Sequence, residues 1–207
     1  SSSGQSLVNM MDLDLLVGSG GVLSHAPRRQ QSARMLIDAF MPEGITQLAV
    51  DSIFMMPQLG VLANIDKKEL KDDASQAALE VFDNDCLIRL GTCVTPVGKV
   101  KPKSKMAQVS LTFKDGSTKD IEVVEGSLEM LEVPYEEVKV NIVPSRGVDV
   151  GAGKGEPLNS VIFGGVVGLI FDGRNRPITL STDPSQRIES LLNWSNAVDE
   201  YPKGDLF

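Results

Sequence analysis

A chain of 207 residues, 42% hydrophobic and 23% charged, carries enough apolar side chain to bury a core and too much of it for disorder. Its formal charge of -8 argues against a nucleic-acid groove, which needs concentrated Lys and Arg against phosphates. No apolar run approaches the roughly 20 residues that cross a bilayer, and residues 1–6 lack the basic start of a secretion leader and read as a linker, so the expected location is cytoplasmic.

In chain order, residues 13–17 predict a short buried strand that ends in Gly18-Ser19-Gly20-Gly21. Pro27 suits a first helical turn, and Ala33, Leu36, Ile37 and Phe40 then form one apolar helical face, closed by Pro42 and Gly44. Residues 48–50 predict a second strand, and Pro57 opens a short helix through Leu62. Asp66 and Glu69 resemble a capping box before a helix whose inner face is Leu70, Ala74, Ala77, Ala78 and Val81. Residues 86–90 predict a third strand, so strand and helix alternate as in an α/β layer. The two cysteines, Cys86 and Cys93, are too few for a disulfide framework and read as buried thiols, and with His25 they lack metal-ligand spacing.

Beyond residue 95 the pattern changes. Lys99, Lys101, Lys103 and Lys105 alternate with small residues and read as a solvated linker. Val109, Leu111 and Phe113, then Asp115-Gly116, then Ile121 and Val123 predict a hairpin. Further strands are expected from Leu128 and Met130, from Val138, Val140 and Ile142, and over residues 161–163 and 166–171, with Asp172-Gly173 as the next turn. The expected organisation is an α/β segment over residues 1–95, a small antiparallel β domain (barrel or sandwich) over 96–183, and a closing helix over 184–207. On that helix Ile188, Leu191, Leu192 and Ser195 share a face beside Trp194, which reads as core.

The glycine turn admits two readings from the residues alone. It follows an apolar strand and precedes a helix, the place where open α/β sheets bind ligands, and glycine lets a flat ligand approach the backbone. Equally, it is a tight strand-to-helix turn with no ligand. It is not a dinucleotide fingerprint, because Leu23 stands where the third glycine belongs. The later Gly151-Ala152-Gly153-Lys154-Gly155 is no P-loop either, with Val148 and Gly155 at the positions that require Gly and Ser or Thr. It reads as a flexible connector. Arg146 and Asp149 beside it read as a solvated pair. Arg174 and Arg176 invite a carboxylate or phosphate, although arginines at a turn are more often solvated.

Residues 15–23, LLVGSGGVL, resemble the adenosine motif of the actin, heat-shock chaperone and sugar-kinase superfamily. The longer run VGSGGVLSHAPRRQQSARMLIDAFMPEGITQLAVDSIFMMPQLGVLAN, residues 17–64, resembles the MutL-type proteins encoded beside glutamate mutase, which are unrelated to the mismatch-repair protein of that name. Proposed reactivating factors for D-ornithine aminomutase belong to the same group, and GGVVGLIFDGRNRPITL, residues 164–180, is similar to their end.

The resemblance implies the C-terminal half of an actin-like (ribonuclease H-like) nucleotide-binding domain, followed by the β domain and the C-terminal helix. It further implies part of an ATP-dependent, chaperone-like factor that exchanges damaged cobalamin in an adenosylcobalamin-dependent mutase. The implied ligand is ATP or ADP with magnesium, and the implied partners are a mutase subunit and a second copy in a homodimer. Gly18, Ser19, Gly20 and Gly21 would line the adenosine site, with Ser24 and His25 reaching the ribose or base. The superfamily's phosphate hairpins and catalytic acid have no counterpart here, and Asp51 is not assigned that role, so the expected site is a half-site without hydrolysis of its own. The alternative is a docking module for a mutase subunit that binds no nucleotide.

Overall fold

The computed structural model describes residues 8–63 and 72–202. The expected capping pair Asp66 and Glu69, and Leu70 behind it, lie outside them.

The first element after a short turn at Met10–Asp12 is β1 (Leu15–Gly18), followed by the single helical turn α1 (Gly21–Ser24) and by α2 (Arg29–Phe40). α2 begins two residues after Pro27, where the Gln31 side chain accepts from the Arg28 amide, and stops at Met41 in the left-handed conformation before Pro42. β2 (Gly44–Asp51) pairs with β1 in parallel, completing a strand-helix-strand unit. α3 (Met56–Ala63), α4 (Asp72–Val81) and a wide helical turn at Phe82–Cys86 lead into β3 (Leu87–Thr95), which pairs antiparallel with β2.

The remaining elements are the short β4 (Val97–Gly98), β5 (Lys105–Thr112), β6 (Thr118–Val124), β7 (Leu128–Leu131), β8 (Glu137–Pro144), the short β9 (Val148–Asp149), β10 (Leu158–Phe163), β11 (Gly168–Asp172) and α5 (Pro184–Ala197). They build a five-stranded mixed sheet in the order β1-β2-β3-β11-β7, a four-stranded antiparallel sheet in the order β10-β8-β5-β6, and a two-stranded pairing of β4 with β9. The hairpin expected around Asp115-Gly116 is β5–β6, with Asp115 Oδ1 accepting from the Ser117 amide at 2.8 Å.

Two apolar cores define three layers. Val109, Leu111, Val138, Val140 and Ile142 of the four-stranded sheet pack on Val94, Leu169 and Phe171 of the five-stranded sheet. On the other face of the five-stranded sheet, Leu48, Val50, Leu90, Cys93 and Ile170 meet Leu36 and Ile37 of α2 and Trp194 of α5. Both cysteines are free and buried, as expected. The strands β3 and β11, buried almost throughout, are apolar runs rather than alternations because they are covered on both faces.

Residue 95 marks the end of β3, yet β7 and β11 from beyond it extend the same sheet as β1, β2 and β3. Gly91 and Gly168 face each other across the β3–β11 seam, and a Cβ on Gly91 would stand 1.8 Å from the Gly168 oxygen. Only glycine lets the two parts of the chain approach so closely.

Several expected inner faces turn out differently. Phe40, expected on the apolar face of α2 with Ala33, Leu36 and Ile37, is 49% exposed at the helix's last position. On α4, Ala78 is buried while Ala77 and Val81 are exposed. On α5, Trp194, Ser195 and Val198 turn inward and Ile188, Leu191 and Leu192 outward, because the bulky indole fixes which side of the helix meets the core. The Trp194 Nε1 donates to the Gly126 oxygen at 2.8 Å, so the ring is core as expected.

Candidate functional site

Parallel pairing of β1 and β2 brings their carboxyl ends to one edge of the sheet, and Gly18, Ser19, Gly20 and Gly21 turn over that edge. Gly18 closes the strand and is packed from behind, since a Cβ there would meet Leu23 at 2.8 Å and Leu36 at 3.0 Å. Gly20 has φ +101° and initiates α1, its carbonyl accepting from Leu23 and Ser24. A Cβ on Gly20 or Gly21 would meet nothing within 4 Å, so the turn presents bare backbone to open space. That is the local form a flat ligand needs to lie on main chain.

Asp51, at the end of β2, organises the rest of the site. It is fully buried, and its carboxylate accepts from the Met56 amide at 2.9 Å, the Met55 amide at 3.2 Å and the Ser19 hydroxyl at 3.5 Å. One carboxylate therefore ties the glycine turn to the start of α3. Ser24 is buried and donates its hydroxyl to the Asp51 carbonyl, so a side chain expected to reach a ligand is instead committed to the fold. His25 is exposed at the end of α1, its amide bonded to the Gly21 carbonyl. The segment after Asp51 exposes Ile53 (60%) and Phe54 (55%), and Phe54 holds φ +58°, a costly conformation for an aromatic residue.

Gly18, Ser19, Gly20 and Gly21 thus stand together on one edge, Ser24 turns inward and His25 faces solvent. Asp51 is the residue that sequence reasoning passed over. The available signal was an Asp closing a strand ahead of a Pro-containing helix start, which is capping logic rather than catalytic logic.

A second polar cluster lies on the opposite edge of the sheet, because β11 runs parallel to β3 and β3 opposes β2. Asp172, fully buried, receives Arg174 in a two-pronged pair (Nε to Oδ1 at 2.9 Å, Nη2 to Oδ2 at 2.8 Å) and Arg176 Nη2 at 2.9 Å. Arg174 also stands 2.8 Å from Asp38 of α2 and stacks over Trp194 at 5.1 Å. Arg176 donates its remaining groups to the Pro42 and Asn175 carbonyls. Arginines expected mostly in solvent are therefore buried, and the carboxylate they invite is Asp172 in the same turn. Burial opposes the charged form of Asp172, but Arg174 and Arg176 outweigh it and hold the carboxyl below its usual range. Burial, aided by Asp172, pushes the nearby Cys93 thiol up to about 12. Every partner here is internal, so the cluster joins α2, β11 and α5 and is not a binding site.

Asp149 likewise turns to its own loop, accepting from the Gly151 amide at 2.8 Å and the Gly153 amide at 3.1 Å. The connector after it is an ordered turn and not a phosphate cradle. Among the described residues no helix is long and apolar enough to cross a membrane.

The fold and site define a layered α/β protein with an open glycine turn at the carboxyl edge of a parallel strand pair. A family model described as MutL protein matches residues 2–82, which contain that turn, α2, β2, α3 and α4. The match covers less than half of the chain, and over that segment the chain is similar to the MutL family. No curated protein and no solved structure matches the chain.

Proposed function

We propose that the chain is part of an ATP-dependent reactivating factor for an adenosylcobalamin-dependent mutase, acting in the cytoplasm and supplying the adenosine half of a nucleotide site. The observation that carries this reading is the bare backbone at Gly20 and Gly21, on the carboxyl edge of the β1–β2 pair and within the family-matched segment. An adenosine laid on this turn would contact main chain at Gly20 and Gly21, with Ser19 beside it and His25 at the rim. In this reading β1, α1, α2 and β2 are the piece of the C-terminal half of an actin-like domain that a nucleotide touches.

The residues fit the adenosine part of ATP or ADP and not the phosphate and magnesium part. Asp51, the carboxylate at the turn, is fully buried and tied to the Met55 and Met56 amides, so it does not face a cation on the open side of the turn. The phosphates and magnesium would be held by residues outside this chain, which itself binds nucleotide weakly and does not hydrolyse it. The same committed Asp51 favours the second reading, a nucleotide-free docking module for a mutase subunit such as that of D-ornithine aminomutase.

Titration calorimetry of this chain and of the full-length gene product with ADP and with ATP plus magnesium separates the two. The expected result is tight binding by the full-length protein, weak binding by this chain, and loss of both in Gly21→Val. That variant places a side chain in open space at a position without positive φ, so the fold is retained. Absence of binding by either protein overturns the nucleotide reading in favour of the docking module.

A further inference from the structure

The five-stranded sheet reaches further than the four-stranded sheet that covers it. Thr92 of β3, Gln47 of β2 and Leu15 of β1 are successive register partners and share the face turned toward the other sheet. β10, the outermost strand of the four-stranded sheet, sits over Thr92, whose hydroxyl donates to the Phe163 carbonyl at 2.7 Å and accepts from the Phe163 amide at 3.2 Å. Past that point a cleft of about 330 Å³ opens between the sheets, lined among others by Asp14, Ile45, Gln47, Leu158 and Val161. Leu15, one strand further out, is 39% exposed although it faces the sandwich side.

The edge of β10 that borders this cleft is equipped to pair. Main-chain groups along an antiparallel strand point alternately to its two sides. Both groups of Phe163 point away from β8, so those of Val161 and Asn159 point the same way, while Leu158, Ser160 and Ile162 bond β8. Among the described residues the Asn159 main chain and the Val161 amide make no other hydrogen bond, and the Val161 carbonyl receives only the adjacent Ser160 hydroxyl at 3.5 Å. β10 also carries no charge and no Pro, the usual guards of an exposed edge.

We propose that this edge accepts an extended segment of a partner protein as a fifth strand, which completes the four-stranded sheet and covers the shelf formed by Leu15, Ile45 and Gln47. Alternate side chains of the segment would be apolar, against Leu15 and Ile45. Asp14 lines the cleft and none of the lining residues is basic, so a Lys or Arg on the segment meets Asp14. A second copy of this chain fits less well, because its own overhanging β1 and β2 would enter the same space. The cleft lies at the opposite end of β1 from the glycine turn, so strand addition does not depend on nucleotide.

The test is amide exchange and fluorescence titration with a capped hexapeptide of alternating valine and threonine carrying one central lysine. The expected result is fast exchange of the Asn159 and Val161 amides in the free chain, saturable binding at up to millimolar peptide, and slowing of both amides by about tenfold or more on binding. Val161→Pro removes an amide that points to the free edge and leaves the β8 ladder intact, so it is expected to fold normally and abolish binding. Val143→Thr, an exposed position on β8, is expected to bind as the parent does. Slow exchange at Asn159 and Val161 in the free chain, unfolding of Val161→Pro, no binding at millimolar peptide, or a dimer by sedimentation that Val161→Pro dissociates would each overturn the assignment.

Discussion

Asp172 is the residue on which two buried arginine side chains converge. It is fully buried with two guanidinium groups on its oxygens, and removing the carboxylate leaves Arg174 and Arg176 charged in a dry site. Breaking a buried pair from one side costs about 3–5 kcal/mol, so Asp172→Ala should show a large fall in chemical-denaturation stability. The pH dependence has a definite sign. The folded carboxyl titrates below its unfolded value of about 3.9, so its contribution is complete above that value and is lost as pH falls further. Denaturation midpoints between neutral and strongly acidic pH should fall steeply only at the acid end, and less so in Asp172→Ala. The sequence showed two arginines in a turn beside an Asp, but nothing in a turn pattern says whether the turn is capped by water or by a helix. Burial here comes from α2 and α5 closing over the turn, with Asp38 far before Arg174 in the chain and Trp194 well after it. The cysteine reading, by contrast, was legible because two cysteines are too few for a disulfide framework and a lone thiol is more often buried than not. With its thiol pushed up to about 12, Cys93 should stay unreactive toward a thiol reagent at pH 8 until the chain unfolds.

Elements whose apolar spacing coincided with real contacts were readable. α2 was located by Ala33, Leu36 and Ile37, all within 1% exposure, and the β5–β6 hairpin by alternation around Asp115-Gly116. α5 shows how such reading fails. Two candidate faces compete on that helix, one aliphatic through Ile188, Leu191 and Leu192 and one through Trp194 and Val198, and periodicity alone ranks the longer stripe first. The indole prevails because its nitrogen finds the Gly126 carbonyl and its ring lies against Arg34 and Arg174. At the candidate site the glycine turn itself was legible, whereas its support by Asp51 was not, since that depends on β2 running parallel to β1. Asp51→Ala should leave the Met55 and Met56 amides without their acceptor and fray the start of α3. Loss of a helix-start acceptor costs about 1–2 kcal/mol, to be read as faster exchange of the Leu59 amide, which bonds the Met55 carbonyl.

At the scale of the molecule, the change of pattern near residue 95 is real in the sequence but does not divide the structure in two. β3, which ends there, is flanked by β2 from the first part of the chain and β11 from the second, and the core on each face of the sheet draws on both. Residues 1–95 alone would expose the side of β3 that pairs with β11, and residues 96–207 alone would leave β11 with only β7 beside it. Neither part has a closed core, so the whole chain should unfold in one transition, with calorimetric and van't Hoff enthalpies in agreement. The Gly91–Gly168 contact makes this testable by a single substitution far from the glycine turn and the β10 edge. In Gly91→Ala the new methyl would overlap the Gly168 carbonyl at 1.8 Å, and the residue would also have to hold φ +137°. Because neither backbone can retreat without breaking the seam, the expected loss is at least about 3 kcal/mol, with both parts of the chain melting earlier and still together. Two separated transitions in that variant, with residues 1–95 unaffected, would instead mean that the seam is a contact between domains and that the β3–β11 pairing contributes little to either.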